Sequence, residues 1–139
     1  MKKPDVPIDQ DDANEVVDML RDSAEDFCTR ALDCSRLRGL RRANPAFDRE
    51  AWTQMAELGW ISILAPVSRG GLGLGVRAVS AVCRKLGSVA AAEPVIETAV
   101  GAVSLLSALG CGEELISAML SGESVAVAVL GGGDEDAFS

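Results

Sequence analysis

One stretch decides how this chain folds: Gly59-Trp60-Ile61-Ser62-Ile63-Leu64-Ala65-Pro66-Val67-Ser68-Arg69-Gly70-Gly71-Leu72-Gly73. It joins a short apolar run, which ends at a proline, to a cluster of glycines. The run is too short for periodicity to separate a strand from a buried turn, so both interpretations stay open. The glycines disfavour regular structure and indicate backbone at positive φ. The stretch is therefore predicted to connect two helices.

Helical periodicity flanks this connection on both sides. The predicted helices span residues 12–33, 49–58, 75–86, 94–110 and 113–121. Asp48 stands at an N-cap position, and Phe47 and Trp52 are spaced as a hydrophobic staple. Gly59 is placed to end the same helix in the left-handed conformation. The helix over 94–110 is apolar nearly all round, which predicts that it is buried at the centre of a bundle.

The other segments are predicted as connections, tails and one strand. Residues 34–46 indicate a connection with at most a helical turn, and Gly87 is expected to end a helix. Alternating small and branched apolar residues over 125–130 predict a strand. The fold class is therefore all-α, a bundle of about five helices in an orthogonal or up-down arrangement, with one strand at the start of a missing β-domain. Residues 1–11 are expected to be a disordered lead-in, 12–122 the helical domain and 123–139 the truncated start of the β-domain.

Composition limits the classes of function. The 139 residues are 48% apolar and 24% charged, as in an ordinary globular domain. With 21 acidic and 13 basic residues the net charge is −8, which disfavours binding to nucleic acid or to an anionic membrane. Six arginines nevertheless fall within residues 30–49, either as a solvated basic loop or as an anion or partner site. Neither a signal peptide nor a membrane-spanning run is visible, which predicts a cytoplasmic protein.

The cysteines do not form a metal-binding pattern. The chain has four cysteines, Cys28, Cys34, Cys83 and Cys111, without a C-x-x-C pair, and it has no histidine. A zinc site of the usual kind is therefore not expected. Cys28 and Cys83 fall on apolar helical faces, which predicts buried reduced thiols and not disulfides.

A dinucleotide-binding motif is present by pattern only. Residues 73–78 match G-x-G-x-x-A before a helix, and Glu93 follows at a suitable distance. A true fingerprint has a strand running directly into its first glycine. Here residues 66–71 intervene, and residues 88–92 make a poor second strand. The match is therefore interpreted as coincidental.

Two carboxylates mark the start of the long apolar helix. Glu93 and Glu97 are four residues apart and are expected to share one helical face. One interpretation is a favourable charge at a helix N-terminus. The other is that this end of the helix lines a ligand cavity. The residue pattern alone leaves both open.

Several short motifs occur in a fixed order from residue 47 to residue 130. The first is Phe47-Asp48-Arg49-Glu50-Ala51-Trp52, whose helix ends at Leu58-Gly59, and the last is Ser121-Gly122-Glu123 before the predicted strand. Between them lie Ile63-Leu64-Ala65-Pro66, Gly70-Gly71-Leu72-Gly73, Leu86-Gly87 and Gly110-Cys111-Gly112-Glu113. With the first helix, this order resembles the N-terminal helical domain of the acyl-CoA dehydrogenases and covers most of residues 12–130.

The resemblance implies a flavoprotein that introduces a 2,3-double bond into an acyl-CoA thioester, with FAD as cofactor and acyl-CoA as substrate. In that family the helical domain helps to wall the acyl cavity, which would place Glu93, Pro94 and Glu97 near the acyl tail, with Thr98 and Gly101 beside them. The family's flavin contacts and catalytic carboxylate lie mainly in later domains. No catalytic, cofactor-binding or metal-binding residue is therefore expected in this chain alone.

The resemblance also bears on assembly. A complete enzyme of this class is expected to be a homo- or hetero-oligomer.

The sequence departs from the family's pattern at one place. Residues 131–133 are three glycines where the family usually has a Thr-Glu-Pro-like stretch. The alternative interpretation is a non-enzymatic helical binding module or partner subunit, which pairs its strand 124–130 with another chain.

Overall fold

The computed structural model describes residues 10–129 and shows an all-α architecture over that range. Its α-helices are α1 (Gln10–Ala31), α2 (Cys34–Leu40), α3 (Arg49–Glu57), α4 (Val76–Ser88), α5 (Val103–Leu109) and α6 (Glu113–Leu120). A 3-10 turn, Val67–Arg69, follows the apolar run, and a π-helical segment, Ile96–Ala102, leads directly into α5. The all-α class is confirmed, with six α-helices where about five were predicted.

The start of α3 is built as the sequence predicts. The Asp48 carboxylate accepts hydrogen bonds from the backbone N–H groups of Glu50 and Ala51, at 2.9 and 3.2 Å. These bonds satisfy donors that a helix start leaves without partners. The rings of Phe47 and Trp52 meet edge to face with centroids 6.2 Å apart, as the hydrophobic staple requires. The cap and the staple are both confirmed.

The apolar run after Gly59 is a buried turn and not a strand. Trp60, Ile61, Ile63 and Ala65 are fully buried, and Trp60 packs edge to face on Phe27 of α1 at 5.3 Å between centroids. The glycine cluster folds back over the run. Leu72, Gly73 and Leu74 donate backbone hydrogen bonds to Ser62, Ala65 and Ile63, respectively.

The glycines at this turn have two separate tasks. The φ angles of Gly59, Gly70 and Gly73 are 80°, 81° and 62°, so the predicted positive φ is confirmed. Gly71 instead lies against Ala65 so closely that a Cβ atom would overlap the Ala65 carbonyl group. The turn therefore requires glycine for backbone conformation at some positions and for close approach at another.

The connection predicted over 34–46 contains a helix that the sequence pattern did not reveal. Asp33 caps α2 by accepting hydrogen bonds from the Ser35 hydroxyl and the Ser35 N–H, and these bonds, the hydroxyl's first, lower the pKa of Asp33. Seven residues give too few turns for helical periodicity to be visible, and such a helix is stabilised by packing and capping. The prediction that Gly87 ends its helix is also wrong, because α4 continues to Ser88.

The predicted C-terminal strand is absent from the described residues, where 124–129 have no regular structure. A strand needs a partner for its backbone hydrogen bonds, and residues 10–129 supply none. Instead, Ser124 donates to the Ala118 carbonyl, and the Thr98 hydroxyl donates to the Ala126 carbonyl at 3.0 Å. Leu130 and the expected β-domain start at 131–139 lie outside the described residues.

Only residues 10 and 11 of the expected disordered lead-in, 1–11, belong to the part of the chain that the structure describes. Residues 1–9 lie outside the described part of the chain. Gln10 and Asp11 belong to α1, which begins two residues earlier than the predicted start. The α1 helix packs along α4, and this is the most extensive contact between two helices in the described part of the chain.

Replacing Gly71 with alanine tests the close approach of the glycine cluster to the apolar run. We expect Gly71→Ala to lower the free energy of unfolding by about 3 kcal/mol, because the new methyl group overlaps the Ala65 backbone. Gly87→Ala is the matched control, since a Cβ atom there meets nothing within 4 Å inside a helix. The control should raise stability by up to about 1 kcal/mol. Equal effects in a urea titration would contradict this account.

Candidate functional site

The start of the π-helical segment is fixed by a buried ion pair. Arg36 of α2 donates two hydrogen bonds to Glu93, from Nη1 to Oε1 at 2.8 Å and from Nη2 to Oε2 at 3.0 Å. The Glu93 side chain is fully buried and that of Arg36 is 16% exposed. The backbone N–H of Asp48 adds a third bond to Oε1 at 3.3 Å. One carboxylate thus joins α2, the cap of α3 and the residue before Pro94.

This pairing determines what Glu93 can do chemically. The hydrogen bonds that Arg36 donates to Glu93 raise the pKa of Arg36, while partial burial opposes that rise. A planar guanidinium that meets a carboxylate through two parallel bonds is the strong and directional form of ion pair. Both carboxylate oxygens already accept hydrogen bonds, and the group is inaccessible to solvent. The Glu93 carboxylate is therefore already held by protein donors on both of its oxygens.

Glu97 lies in a different environment from Glu93. Its side chain is exposed, whereas Glu93 is buried, so the two carboxylates do not share one face as expected. Glu93 precedes the helical residues, which begin at Val95, so the four-residue spacing of one continuous helix does not apply to this pair. Glu97 is close enough to Cys83 for its charge to raise the pKa of that thiol, although burial is the larger cause.

The other three predicted pocket residues lie along the same segment. Pro94 is half-buried, and its carbonyl accepts a hydrogen bond from the Thr98 N–H at 3.1 Å. Thr98 is fully buried and contacts the 124–129 segment through its hydroxyl group. Gly101 faces the same segment, since a Cβ atom on it would lie 3.9 Å from the Ala128 methyl. The structure thus brings Thr98 and Gly101 together beneath residues 124–129.

An exposed aliphatic stripe runs along the opposite side of this long helix. Its members are Ile96 at 56% exposure, Val100 at 38%, Leu105 at 40% and Leu109 at 65%. The prediction of a helix buried nearly all round is therefore wrong on this side. The inner side does pack in the core, through Val95, Thr98, Ala99, Ala102 and Val103.

The π-helical turn shapes this aliphatic stripe. The Val103 N–H donates to the Thr98 carbonyl, five residues back, where an α-helix would use a partner four residues back. A π-helical turn contains about one residue more than an α-helical turn. The five-residue step from Val100 to Leu105 therefore keeps both side chains near one side of the helix. The irregular aliphatic spacing of four, five and four residues was the signal available in the sequence.

The surface clefts in the described part of the chain include three with mainly charged or polar linings. The first has a volume of about 610 Å³ and is lined by Arg38, Arg41 and Arg42. The second, about 300 Å³, lies between α1 and α4 and is lined by Val17, Arg21, Arg77, Ser80, Ala81, Arg84 and Lys85. The third, about 220 Å³, lies beside the α3 cap and is lined by Ala31, Asp48, Glu50, Ala51 and Gln54.

None of these three clefts fits a flavin. An isoalloxazine ring needs an apolar slot with a few convergent hydrogen-bonding groups. The lining side chains described for these clefts are mostly charged or polar, and those described for the first cleft are arginines. The buried indole N–H groups of Trp52 and Trp60 lack acceptors among the described residues, and neither residue lines these three clefts. None of the three clefts is therefore assigned to a flavin.

The cysteines of the described part are free thiols. Cys28 is buried, Cys83 half-buried and Cys111 exposed. Burial raises the pKa of Cys28, as it does for Cys83. Within residues 10–129 no cluster of three or more potential ligands could hold a metal ion. No described helix is both long enough and apolar enough to cross a membrane.

Comparison with known proteins gives consistent matches. A family model described as "Acyl-CoA dehydrogenase, N-terminal domain" matches residues 14–123. Acyl-CoA dehydrogenase FadE27 of Mycobacterium tuberculosis is 40% identical over 76 residues, which cover 55% of this chain and 20% of that protein.

Solved structures agree with these matches. The ChsE4-ChsE5 complex from Mycobacterium tuberculosis superposes with a TM-score of 0.70 at 30% identity, over 81% of this chain and 32% of the matched chain. A variant of the Tcur3481-Tcur3483 steroid ACAD shares the fold, with a TM-score of 0.74 at 24% identity over 83% of this chain and 32% of that chain. The chain thus spans less than a third of the relatives it matches.

Breaking the buried ion pair should be costly. Arg36→Met leaves the buried Glu93 carboxylate without its cation, and we expect the free energy of unfolding to fall by about 3 kcal/mol. Arg30→Met is the matched control, because it breaks an exposed pair with Asp26. That change should cost about 0.3 kcal/mol. Similar losses of unfolding free energy for the two variants in chemical denaturation would show that burial of Glu93 does not increase the cost of breaking its ion pair.

The raised thiol pKa values predict an alkaline loss of stability. When folding raises a thiol pKa, the folded chain keeps its proton at a pH where the unfolded chain has lost it. The contribution of such a thiol to the free energy of unfolding is complete below its unfolded pKa, about 8.5. It declines as the pH rises toward and through the folded pKa. We expect stability to fall above about pH 8.5, and the slope to flatten in the double variant Cys28→Ala/Cys83→Ala. Exposed Cys111→Ala is the control, and an unchanged slope in the double variant would contradict the assignment.

Proposed function

Because this chain belongs to the acyl-CoA dehydrogenase family, matching its N-terminal domain over residues 14–123, we propose that it forms one wall of the acyl cavity in a FAD-dependent acyl-CoA dehydrogenase. The reaction of that enzyme class is α,β-dehydrogenation of an acyl-CoA thioester. The chain is proposed to act within a larger homo- or hetero-oligomeric assembly. By itself it is proposed to be inactive.

The observation that carries this proposal is the exposed aliphatic stripe of Ile96, Val100, Leu105 and Leu109. Contiguous apolar surface on an otherwise charged domain marks a place where something apolar binds or packs. Ligand cavities are lined mainly by apolar side chains. A methylene chain laid along the stripe would remove its water-exposed area, which is worth about 25 cal/mol for each Å².

The five residues expected at the pocket receive different roles under this proposal. Pro94 and Glu97 flank the N-terminal end of the stripe and are proposed to border the acyl tail. Glu93 is proposed as a positioning residue, since its carboxylate is held by Arg36. Thr98 and Gly101 are proposed to shape the wall from behind, where they contact residues 124–129.

The flavin belongs to the rest of the assembly in this proposal. FAD supplies the redox chemistry of this enzyme class by accepting a hydride. No catalytic or cofactor-binding role is proposed for the residues of this chain. Their contribution is to bind and orient the acyl chain and to exclude water from it.

A second function is favoured by a different observation. Val127 and Val129 are 54% and 86% exposed in a segment without regular structure. Such a segment could add a strand to the sheet edge of another chain. The protein would then be a non-enzymatic binding module or partner subunit that contributes residues 124–130.

The acyl-wall proposal is tested by enlarging the stripe. Val100→Trp, in the complete flavoprotein that contains this domain, should raise KM for acyl-CoA about tenfold, because an indole fills the space for the acyl tail. Turnover at saturation should change less. Met19→Trp is the control, since Met19 is exposed on α1. An assembly without flavin or dehydrogenase activity, or equal KM values in the two variants, would contradict the proposal.

Solution size separates the two functions. Under the acyl-wall proposal the isolated chain has no stable complex that depends on residues 124–130. Light scattering after size exclusion should therefore give the same result for the chain and for the Val127→Lys/Val129→Lys variant. A stable complex that the two lysines abolish would favour the binding module instead.

A further inference from the structure

The π-helical segment deprives the Ala99 carbonyl of the partner that an α-helix would give it. In an α-helix this carbonyl would accept a hydrogen bond from the Val103 N–H, four residues further on. Here that N–H donates to the Thr98 carbonyl instead. Ala99 is fully buried, and a buried carbonyl is unfavourable unless it accepts a hydrogen bond. The π-turn therefore requires another donor for the Ala99 carbonyl.

A serine side chain supplies this donor. The Ser104 hydroxyl donates to the Ala99 carbonyl at 3.4 Å. Serine side chains inside α-helices bond to the carbonyl three or four residues back. The acceptor of Ser104 lies five residues back, which matches the spacing of the π-turn. Ordinary back-bonding in an α-helix therefore does not account for this contact.

The register of the π-turn decides whether the aliphatic stripe is continuous. Five residues of an α-helix turn through about 500°, which leaves the first and the last about 140° apart around the axis. A π-turn brings the same five residues close to one full turn. Val100 and Leu105 are separated by this step, and both are exposed. Loss of the π-turn would therefore rotate Leu105 and Leu109 away from the first half of the stripe.

We propose that Ser104 is a positioning residue for the acyl wall, because its hydroxyl holds the π-turn that aligns the two halves of the stripe. The first half is Ile96 with Val100, and the second is Leu105 with Leu109. This inference rests on the proposed function, in which the stripe contacts the acyl tail. Ser104 acts through the helix backbone and is assigned no contact with the substrate.

The separation of the two halves indicates which substrates depend on the turn. Val100 and Leu109 are nine positions apart, which corresponds to roughly 13 Å along a helix axis. A palmitoyl tail is long enough to contact both halves at once, whereas a butyryl tail is not. Alignment of the halves should therefore matter for the longer tail and not for the shorter one.

Amide hydrogen exchange in the 139-residue chain tests the hydrogen bond without an assay of activity. We expect Ser104→Ala to speed exchange of the Val103 N–H about tenfold, because the Ala99 carbonyl loses its donor and the π-turn loosens. Ser104→Thr keeps a hydroxyl group and should retain the protection. Ser107→Ala is the matched control, since its hydroxyl lies in the same helix and has no hydrogen-bond partner among the described residues. Equal exchange in the two alanine variants would overturn the proposal.

Kinetics of the complete flavoprotein that contains this domain test the positioning role. We expect Ser104→Ala to raise KM for palmitoyl-CoA about fivefold with kcat nearly unchanged, and to change KM for butyryl-CoA by less than about twofold. Ser104→Thr and Ser107→Ala should resemble the unaltered enzyme with both thioesters. Equal changes in KM for the two thioesters would overturn the positioning role, because a general loss of stability affects both alike.

The two measurements separate this inference from the acyl wall itself. If Val100→Trp raises KM and Ser104→Ala does not, the stripe contacts the acyl tail but Ser104 does not position it. If neither variant changes KM, or neither thioester is turned over, the acyl wall is contradicted and the positioning role fails with it. The exchange rate of the Val103 N–H decides in every case whether the Ser104 hydroxyl holds the turn.

Discussion

The buried pair of Arg36 and Glu93 is the interaction on which the functional part of the structure depends. A fully buried carboxylate is unfavourable unless a cation and hydrogen-bond donors compensate for lost hydration. Here the guanidinium supplies two donors and the Asp48 backbone supplies a third. Because these donors come from α2 and from the cap of α3, the pair sets where the π-helical segment starts. The direction of the aliphatic stripe follows from that start.

A second constraint is the close approach of the glycine cluster to the apolar run. Trp60 to Ala65 bury their side chains without strand pairing, so their backbone carbonyls need other partners. Residues 72–74 supply them by folding back over the run. Only glycine at position 71 permits this approach. The stretch therefore works as a compact connection between α3 and α4.

Much of the fold could be predicted where local chemistry dominates. Asp48 as cap, the staple of Phe47 and Trp52, and the positive φ of Gly59 each depend on neighbouring residues and are confirmed. Features that depend on distant contacts were missed. The α2 helix is too short for periodicity, and the 125–130 pattern does not form a strand without a partner among the described residues.

The candidate site shows the same division between local and distant effects. The five predicted pocket residues lie in or just before one helical segment, but their surroundings were not foreseeable, because the ion pair joins positions 57 residues apart. Glu93 precedes the helical residues that begin at Val95, so the spacing of one continuous α-helix does not place it beside Glu97. Similarly, the six arginines over 30–49 were visible as charge, whereas the burial of one of them, Arg36, against the distant Glu93 required the tertiary structure.

The central claim is that the stripe from Ile96 to Leu109 contacts an acyl chain. The most direct measurement is photo-crosslinking of the assembled flavoprotein with an acyl-CoA that carries a diazirine on its acyl tail, followed by mapping of the labelled peptides. This account predicts labelling of this chain at Ile96 or Val100, and competition by unlabelled acyl-CoA. Labelling that is confined to other faces of the chain, or that competing acyl-CoA does not reduce, would contradict it.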